Sequence, residues 1–259
     1  MSGDLVDLAR RAAFAAGDIL VDAGRGSAAE SKGTGDYVTE TDRRCERQIE
    51  VTLSEGAPGI PVVGEEAVAT GEPTDRYWLV DPIDGTTNFL HGFRAVGVSI
   101  ALVVEGVPAV GVVHAPFLGE TYWAEKGAGA YLESSGGRGR LAVSTRRPSE
   151  AVLATGFPFR RKELIPRHLE VVRRCLERFE DLRRPGAASL DLAWVAAGVF
   201  EGFFELNLSS WDVAAGALLV EEAGGRVSDW QGGPDYMSGN ILAASPAVHS
   251  ALVEVAGSR

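Results

Sequence analysis

Two carboxylates three residues apart stand out in segment 81–89, which reads Asp-Pro-Ile-Asp-Gly-Thr-Thr-Asn-Phe. The segment follows an apolar run, Tyr77 to Val80, that is typical of a buried strand. Pro82 cannot donate to a sheet ladder, so we expect the strand to end near Asp81. Residues 86–88 can then cap a following helix. Carboxylates at a strand end, beside free N–H groups of a following helix, can hold a hard cation and a phosphate together. The segment therefore predicts cation-assisted phosphate chemistry, although Asp-Pro and Asp-Gly are also common turn dipeptides.

Three further segments carry carboxylates that are placed for the same chemistry. Asp42 lies in segment 36–42, Glu65-Glu66 follows a short predicted strand, and Asp212 precedes an Ala-rich helix. Each has an ordinary alternative: Asp36 or Thr39 can cap a helix, tandem Glu is usual on a surface, and Asp212 can be an N-cap or a first-turn acid. The position of Glu65-Glu66 just past a strand matches that of Asp81, which favours a functional interpretation.

Magnesium requires hard oxygen ligands, usually a few carboxylates together with waters and phosphate oxygens. Two-metal hydrolysis places one ion on the attacking water and another on the leaving oxygen, and a shared carboxylate can bridge the two ions. Asp81 is the natural bridge, because Ile83 offers a carbonyl and Asp84 a second carboxylate nearby. The sequence has no evident Ser-His-Asp set, Walker motif or Rossmann glycine pattern.

The composition is ordinary for a globular protein, with 259 residues, 45% hydrophobic and 24% charged. A net charge of −11 argues against nucleic-acid binding, but a bound divalent cation can reverse the local field for a small phosphorylated substrate. Cys45 and Cys175 fit neither a zinc motif nor a disulfide framework, so we expect a reduced, cytoplasmic location. The N-terminus lacks a secretory pattern and no apolar run approaches membrane-spanning length, so we expect no membrane partner.

Hydrophobic periodicity predicts helices over 4–23 and 38–54, with a loop from Gly24 to Gly35 between them. Residues 134–139 also read as a loop. Two β-rich runs on either side of Glu105-Gly106 predict a hairpin. The second half mixes predicted strands at 151–155, 200–206, 226–228 and 241–244 with helices at 164–177, 189–197, 211–223 and from Pro246. The outline is one compact unit with a sheet-rich half over 1–145 and a mixed half over 146–259.

Four motifs in this order resemble the inositol monophosphatase family. Segments 78–89 and 211–225 are similar to the family's two signatures, and segments 64–66 and 36–42 are similar to its other site segments. The resemblance covers nearly the whole chain and implies an α/β (α+β) fold, a layered αβαβα sandwich that is commonly a homodimer. It also implies a magnesium-dependent, commonly lithium-inhibited phosphomonoesterase with two to three Mg²⁺ ions per site.

The resemblance assigns metal ligands to individual residues. Glu65, Asp81 and the Ile83 carbonyl resemble the ligands of the first magnesium. Asp81, Asp84 and Asp212 resemble those of the second. Glu65 would also reach a third, weaker ion through water.

The catalytic and phosphate-binding residues also follow from the resemblance. Thr86 paired with Asp42 resembles the couple that orients and helps deprotonate the attacking water, and Glu65 belongs with them. A hydroxyl between a water and a buried carboxylate can relay a proton. The backbone N–H groups of Gly85, Thr86 and Thr87 would receive the phosphate at the helix start.

The substrate side is less fully specified by the sequence. By similarity Glu205 would hydrogen-bond a substrate hydroxyl; the alternative is an exposed acid at a strand end. Ala188 lies in a segment that lines the family's substrate pocket, and Asp212 borders the substrate as well. Many members carry Ser or Thr where Ala187 stands, so we expect a polar contact to be missing there.

The expected reaction is the hydrolysis of myo-inositol 1-phosphate, or a similar polyol or sugar phosphate, to the alcohol and phosphate. Relatives with these metal motifs hydrolyse fructose 1,6-bisphosphate, NADP, histidinol phosphate or 3′-phosphoadenosine phosphates. Segment 81–89 favours the inositol branch, and fructose-1,6-bisphosphatase activity stays open. A hypothesis of another class is a non-catalytic partner protein, since some bacterial relatives act on the transcription machinery. The intact carboxylates argue against it.

Overall fold

The computed structural model of the chain describes residues 2–24, 29–33, 36–66 and 75–257. Within these ranges the α-helices are α1 (Ser2–Ala23), α2 (Glu40–Gly56), α3 (Thr86–His91), α4 (Ile165–Arg178), α5 (Ala188–Ala196), α6 (Ser210–Glu222) and α7 (Pro246–Gly257). The strands are β1 (Ala29–Gly33), β2 (Asp36–Thr39), β3 (Val62–Gly64), β4 (Arg76–Asp84), β5 (Gly97–Val104), β6 (Val107–Ala115), β7 (Glu120–Glu125), β8 (Gly129–Ser134), β9 (Gly137–Arg140), β10 (Val152–Thr155), β11 (Asp181–Arg183), β12 (Gly202–Glu205), β13 (Arg226–Ser228) and β14 (Ile241–Ala244).

These elements form five layers. A seven-stranded sheet has the order β3-β4-β5-β6-β7-β8-β9, and a five-stranded sheet has the order β11-β10-β12-β14-β13. Helices α1 and α2 cover the outer face of the first sheet, and α5 and α6 pack between the sheets. Helices α4 and α7 cover the outer face of the second sheet. The predicted αβαβα sandwich is therefore confirmed.

The burial of each helix follows from its sequence pattern. Helix α6 buries every residue from Val213 to Val220, as a helix between two sheets must. Helix α5 likewise buries eight of its nine residues. Helix α4 covers an outer face and buries a single stripe, made by His168, Val171 and Cys175. None of the helices within the described ranges is long and apolar enough to cross a lipid bilayer.

Strand β4 extends further than the sequence predicted. We expected it to end near Asp81 because of Pro82, and this was wrong: the strand continues to Asp84. Its register with β5 shifts between Asp81 and Asp84. At this irregularity Pro82 has no partner in the ladder, so its missing N–H interrupts no ladder hydrogen bond. Both carboxylates therefore belong to one strand.

Two segments that were predicted as loops contain strands. Within Gly24 to Gly35, β1 pairs with β2 in antiparallel fashion, while residues 25–28 and 34–35 of that predicted loop lie outside the described residues. Within 134–139, β9 pairs with β8 across a two-residue connection. Gly- and Ser-rich composition is compatible with paired strands as well as with a loop, which explains both errors.

Helix α3 begins at Thr86, inside segment 81–89, and its cap lies one residue earlier than expected. We expected residues 86–88 to cap it, whereas the N-cap is Gly85, with a left-handed φ of 89° that favours glycine. Asn88 instead lies inside the helix and donates to the carbonyls of Ala95 and Pro185, at 2.8 and 2.9 Å. This side chain therefore ties the start of α3 to the segment that precedes α5.

The two sheets divide the chain in sequence. The first sheet ends at Arg140 and the second begins at Val152. Helix α6 comes from the second half of the chain but packs against β5 and β6 of the first sheet. The division at residue 145 into two halves stays a prediction.

Candidate active site

A pocket of about 690 Å³, open mouth included, collects most of the predicted site residues. Asp42 does not line it but forms a hydrogen bond with Thr86, which does. The other predicted residues all line it, namely Glu65, Asp81, Ile83, Asp84, Gly85, Thr86, Thr87, Ala188, Glu205 and Asp212.

Parallel strands of both sheets end at this pocket. Strand β3 runs parallel to β4, and the two lead into Glu65 and Asp84. Strand β10 runs parallel to β11 and β12, and their carboxyl ends lead into Gly156, Arg184 and Glu205. The crevice at the carboxyl ends of parallel strands is a common place for a ligand. The sheet topology thus brings together residues that are distant in the chain.

Asp81, Asp84 and Asp212 form an acidic cluster at the pocket floor. Burial raises the pKa of Asp81 well above its usual range, and the charges of Glu65, Asp84 and Asp212 raise it further. Burial, followed by the charge of Asp84, raises the pKa of Asp212 to about 7. Buried carboxylates that repel one another favour a bound cation, which lowers the cost of keeping them ionised.

The chemistry of this donor set fits magnesium. The ion takes oxygen ligands and usually combines one or two carboxylates with waters and substrate phosphate oxygens. Among the residues that the structure describes, no group of three or more His, Cys, Asp or Glu side chains is arranged to hold a metal ion by itself. The carboxylates therefore line the pocket as separate donors, and waters and substrate oxygens would complete the coordination.

Ile83 and Thr86 occupy the turn between the cluster and α3. The Ile83 N–H donates to Asp81 Oδ1 at 2.9 Å, which fixes one oxygen of that carboxylate. The Ile83 carbonyl accepts from Thr86 Oγ1 at 3.1 Å. This predicted ligand carbonyl thus lies beside the hydroxyl that was predicted to be catalytic.

Asp42 takes part in the cap of α2 and also lies beside Thr86, and its role toward an attacking water stays a prediction. Its Oδ2 accepts from the N–H and Oγ1–H of Thr39, at 2.8 and 2.5 Å, as the N3 residue of a capping box for α2. Its Oδ1 lies 3.4 Å from Thr86 Oγ1. Burial raises the pKa of Asp42, while the hydrogen bonds from Thr39 oppose that rise. The helix cap therefore holds the carboxylate against Thr86.

Asp212 likewise completes a helix start and lines the pocket. It lies in the first turn of α6, where its Oδ2 accepts from the Ser209 N–H at 2.7 Å. An acid in the first turn also interacts favourably with the helix dipole. Capping and pocket lining are therefore compatible at this position.

Glu205 is buried at the end of β12, which rules out the alternative of an exposed strand-end acid. Burial, followed by the charges of Asp212 and Asp84, raises its pKa to about 8. A buried carboxyl at the pocket wall suits a hydrogen bond to a polar ligand group. Its role toward a substrate stays a prediction.

Several pocket residues were not predicted from the sequence, namely Gly156, Phe159, Arg160, Arg184 and Leu208. Arg160 and Arg184 follow β10 and β11, at the same sheet edge as Glu205. The strand-end argument that singled out Asp81 could have found them if it had been applied to the second half. Two guanidinium groups at the pocket favour anionic groups on a ligand.

Comparison with known proteins adds independent information. The model of the inositol monophosphatase family matches residues 3–258. The Nus factor SuhB of Escherichia coli strain K12 is 40% identical over 255 residues, which cover 96% of this chain and 94% of that protein. The inositol-1-monophosphatase of Caulobacter vibrioides is 42% identical over 228 residues, which cover 86% of this chain and 88% of that protein.

A solved structure agrees with the fold. The extragenic suppressor protein suhB of Bartonella henselae superposes with a TM-score of 0.90 at 39% identity. The match covers 96% of this chain and 97% of that chain, so it includes both sheets and all three helical layers.

Proposed function

The chain belongs to the inositol monophosphatase family, and on that premise we propose that it is a magnesium-dependent phosphomonoesterase that hydrolyses inositol monophosphates. The observation that carries the proposal is the cluster of Asp81, Asp84 and Asp212. Two buried carboxylates and the half-buried Asp212 repel one another beside a helix start, and they would form a site for a cation and a phosphate.

The pocket residues would divide the magnesium ions between them. Glu65, Asp81 and the Ile83 carbonyl would hold one ion, and Asp81, Asp84 and Asp212 a second. Glu65 would also approach a third through water, giving two to three ions. When bound, magnesium supplies positive charge for the phosphate oxygens and lowers the pKa of the attacking water.

The start of α3 would receive the phosphate. The first N–H groups of a helix have no partner inside it, and Gly85, Thr86 and Thr87 supply these groups at the pocket. The positive φ at Gly85 turns the backbone there from strand to helix. The phosphate would thus bind to backbone groups, which leaves side chains free for the proton transfer.

Thr86 and Asp42 would move the proton of the attacking water. As the water oxygen bonds to phosphorus, Thr86 Oγ1 accepts a water proton and passes its own to Asp42 Oδ1, 3.4 Å away. Thr39 holds the other oxygen of Asp42, so the accepting atom is fixed. The bond between phosphorus and the substrate oxygen would then break, that oxygen would take a proton from a water molecule as the alcohol leaves, and Asp42 would return its proton to solvent.

Glu205 and Ala188 would contact the alcohol part of the substrate. The buried Glu205 carboxyl would bond a polyol hydroxyl, and the small Ala188 side chain would leave space for a ring. This arrangement favours a hydroxyl-rich substrate over an apolar phosphate ester.

A specific observation favours fructose 1,6-bisphosphate as a second candidate substrate. Arg160 and Arg184 line the same pocket as the carboxylates, and a guanidinium pairs well with a phosphate. A bisphosphate could present one phosphate to the helix start of α3 and the other to these arginines. Inositol monophosphate has only one such group.

A non-catalytic partner role remains the remote alternative, and a relative's name supports it: the 40% identical E. coli protein is called Nus factor SuhB. The pocket carboxylates weigh against a purely non-enzymatic role, because buried repelling acids serve no evident structural purpose.

We test these alternatives by measuring phosphate release in magnesium from five compounds. They are inositol 1-phosphate, fructose 1,6-bisphosphate, NADP, histidinol phosphate and 3′-phosphoadenosine 5′-phosphate. We expect preference for inositol 1-phosphate. Preference for another compound would contradict the proposed substrate but not the proposed metal chemistry. If none of the five compounds released phosphate while magnesium still bound, the non-catalytic partner role would be favoured.

We further propose that the protein acts as a homodimer in the cytoplasm. Cys45 and Cys175 are buried free thiols, which suits a reducing compartment. Analytical ultracentrifugation would determine the oligomeric state, and a monomer at micromolar concentration would contradict the proposal.

A further inference from the structure

Ser189 and Asp84 are joined by two hydrogen bonds to one oxygen, across 105 positions of sequence. The Ser189 N–H donates to Asp84 Oδ2 at 2.7 Å, and the Ser189 hydroxyl donates to the same oxygen at 2.5 Å. Ser189 is fully buried, in the first turn of α5. Bonds to a charged acceptor are stronger than bonds between neutral groups, so this contact fixes the carboxylate.

The surrounding residues leave room for this hydroxyl. Gly97 of β5 lies opposite Asp84 in the ladder. A Cβ atom at Gly97 would come within 2.8 Å of Ser189 Oγ. The hydroxyl therefore occupies space that only a glycine in β5 provides.

The contact also replaces an ordinary helix cap. The N-cap of α5 is Ala187, which has no side-chain hydrogen bond to offer. Asp84 accepts instead from the helix start, through the backbone of Ala188 and Ser189. Ala187 lacks the hydroxyl that many family members carry at this position, and Ser189 provides one that faces a carboxylate rather than the substrate.

From this geometry we infer that Ser189 is a positioning residue for Asp84, which it holds by Oδ2 so that Oδ1 serves as a single-oxygen ligand of a magnesium ion. The inference rests on the proposed function, in which Asp84 binds the second ion. Both donors of Ser189 reach Oδ2, so Ser189 leaves the other oxygen of Asp84 to a cation. Magnesium requires near-octahedral geometry, for which a fixed single oxygen is better suited than a freely rotating carboxylate.

Loss of the hydroxyl should weaken metal binding without removing it. Removal of a group that orients a metal ligand costs about 10- to 100-fold in metal affinity. Ser189→Ala keeps the backbone N–H that also donates to Asp84, so we expect the lower end of this range, a loss of about 10-fold in magnesium affinity. Ser189→Thr keeps the hydroxyl and should bind magnesium much as the unchanged protein does.

The test is the rise in the unfolding midpoint as magnesium is titrated, which requires no turnover. Ser245→Ala is the matched control, because it also removes a fully buried serine hydroxyl, but one outside the pocket. We expect Ser189→Ala to need about 10-fold more magnesium for the same rise, and Ser189→Thr and Ser245→Ala to match the unchanged protein.

Asp84→Asn separates failure of the inference from failure of the proposed function. If Asp84→Asn loses the magnesium response and Ser189→Ala keeps it unchanged, Ser189 has no positioning role. If Asp84→Asn itself responds normally, Asp84 is not a ligand and the proposed metal site is wrong. An equal loss in Ser189→Ala and Ser245→Ala would also overturn the inference.

Discussion

The Glu205 carboxylate lies directly against the backbone of Gly156. A Cβ atom at Gly156 would come within 2.1 Å of both carboxylate oxygens. Gly156 follows β10 and Glu205 ends β12, which is its parallel neighbour. The absence of a side chain at 156 therefore determines where the Glu205 carboxyl can lie in the pocket.

Gly156→Ala should impair substrate binding and leave magnesium binding intact. The new methyl group would displace the Glu205 carboxyl, and an unmade hydrogen bond to a buried group costs about 1–3 kcal/mol. We expect kcat/KM to fall by about 10- to 100-fold, mostly through KM. Steady-state kinetics would show this. Gly139→Ala is the control, since nothing lies within 4 Å of a Cβ atom there. A normal KM in Gly156→Ala would show that Glu205 does not contact the substrate.

Asp81→Asn should abolish magnesium-dependent turnover while the fold stays intact. Asp81 is the proposed bridge between two ions, and an amide is a poor substitute for a bridging carboxylate. The change also removes a charge that repels Glu65, Asp84 and Asp212. We therefore expect the metal-free variant to melt no lower than the unchanged protein, and its melting point to lose its response to magnesium. Exposed Asp22→Asn is the control. Full turnover in Asp81→Asn would refute the site assignment.

Without magnesium, stability should fall as pH rises from about 6.5 to 8. The pKa values of Asp212 and Glu205 are about 7 and about 8, whereas unfolded Asp and Glu titrate near 4. The folded protein thus holds protons that the unfolded chain has lost, and this stabilisation disappears as pH passes the folded values. Burial lowers the pKa values of His114 and His168 to about 4. These two residues make the stability rise with pH, but only below about pH 6.5, where an unfolded histidine binds a proton.

Urea unfolding in a chelator would check this slope. Glu205→Gln removes the carboxyl group with the higher of the two raised pKa values. The free energy of unfolding of this variant should therefore change less between pH 7 and 8 than that of the unchanged protein. Magnesium should oppose the fall, because metal binding requires deprotonated ligands. Identical slopes in the variant and the unchanged protein would show that Glu205 does not titrate there.

Local patterns predicted the helices and most of the pocket. The 3.6-residue periodicity of α1 and the motif of segment 81–89 both act over short stretches of chain, where sequence determines conformation directly. For the same reason Asp81 and Asp84 could be identified before any tertiary contact was known. The capping of α2 by Thr39 was also among the alternatives that the sequence offered.

The remaining features depend on contacts between distant segments. Arg184 reaches the pocket because β11 pairs in parallel with β10, and nothing in the local sequence specifies that pairing. Ser189 reads as an ordinary residue of a helix start until Asp84 is placed beside it. The continuation of β4 past Pro82 required the register shift against β5, which is a property of the sheet rather than of the strand.

Thr86→Val should lower kcat and leave magnesium binding largely unchanged. Valine has nearly the shape of threonine but no hydroxyl, so the path from the water to Asp42 Oδ1 is interrupted while the capping of α2 is preserved. General base catalysis contributes about 10²- to 10⁴-fold, which sets the expected loss in kcat. Thr86→Ser keeps the hydroxyl and should recover most of it, and single-turnover kinetics in saturating magnesium would separate the chemical step from binding. A Thr86→Val variant with normal kcat would mean that the proton leaves by a route other than Asp42, and the hydrogen bond between the two residues would then be purely structural.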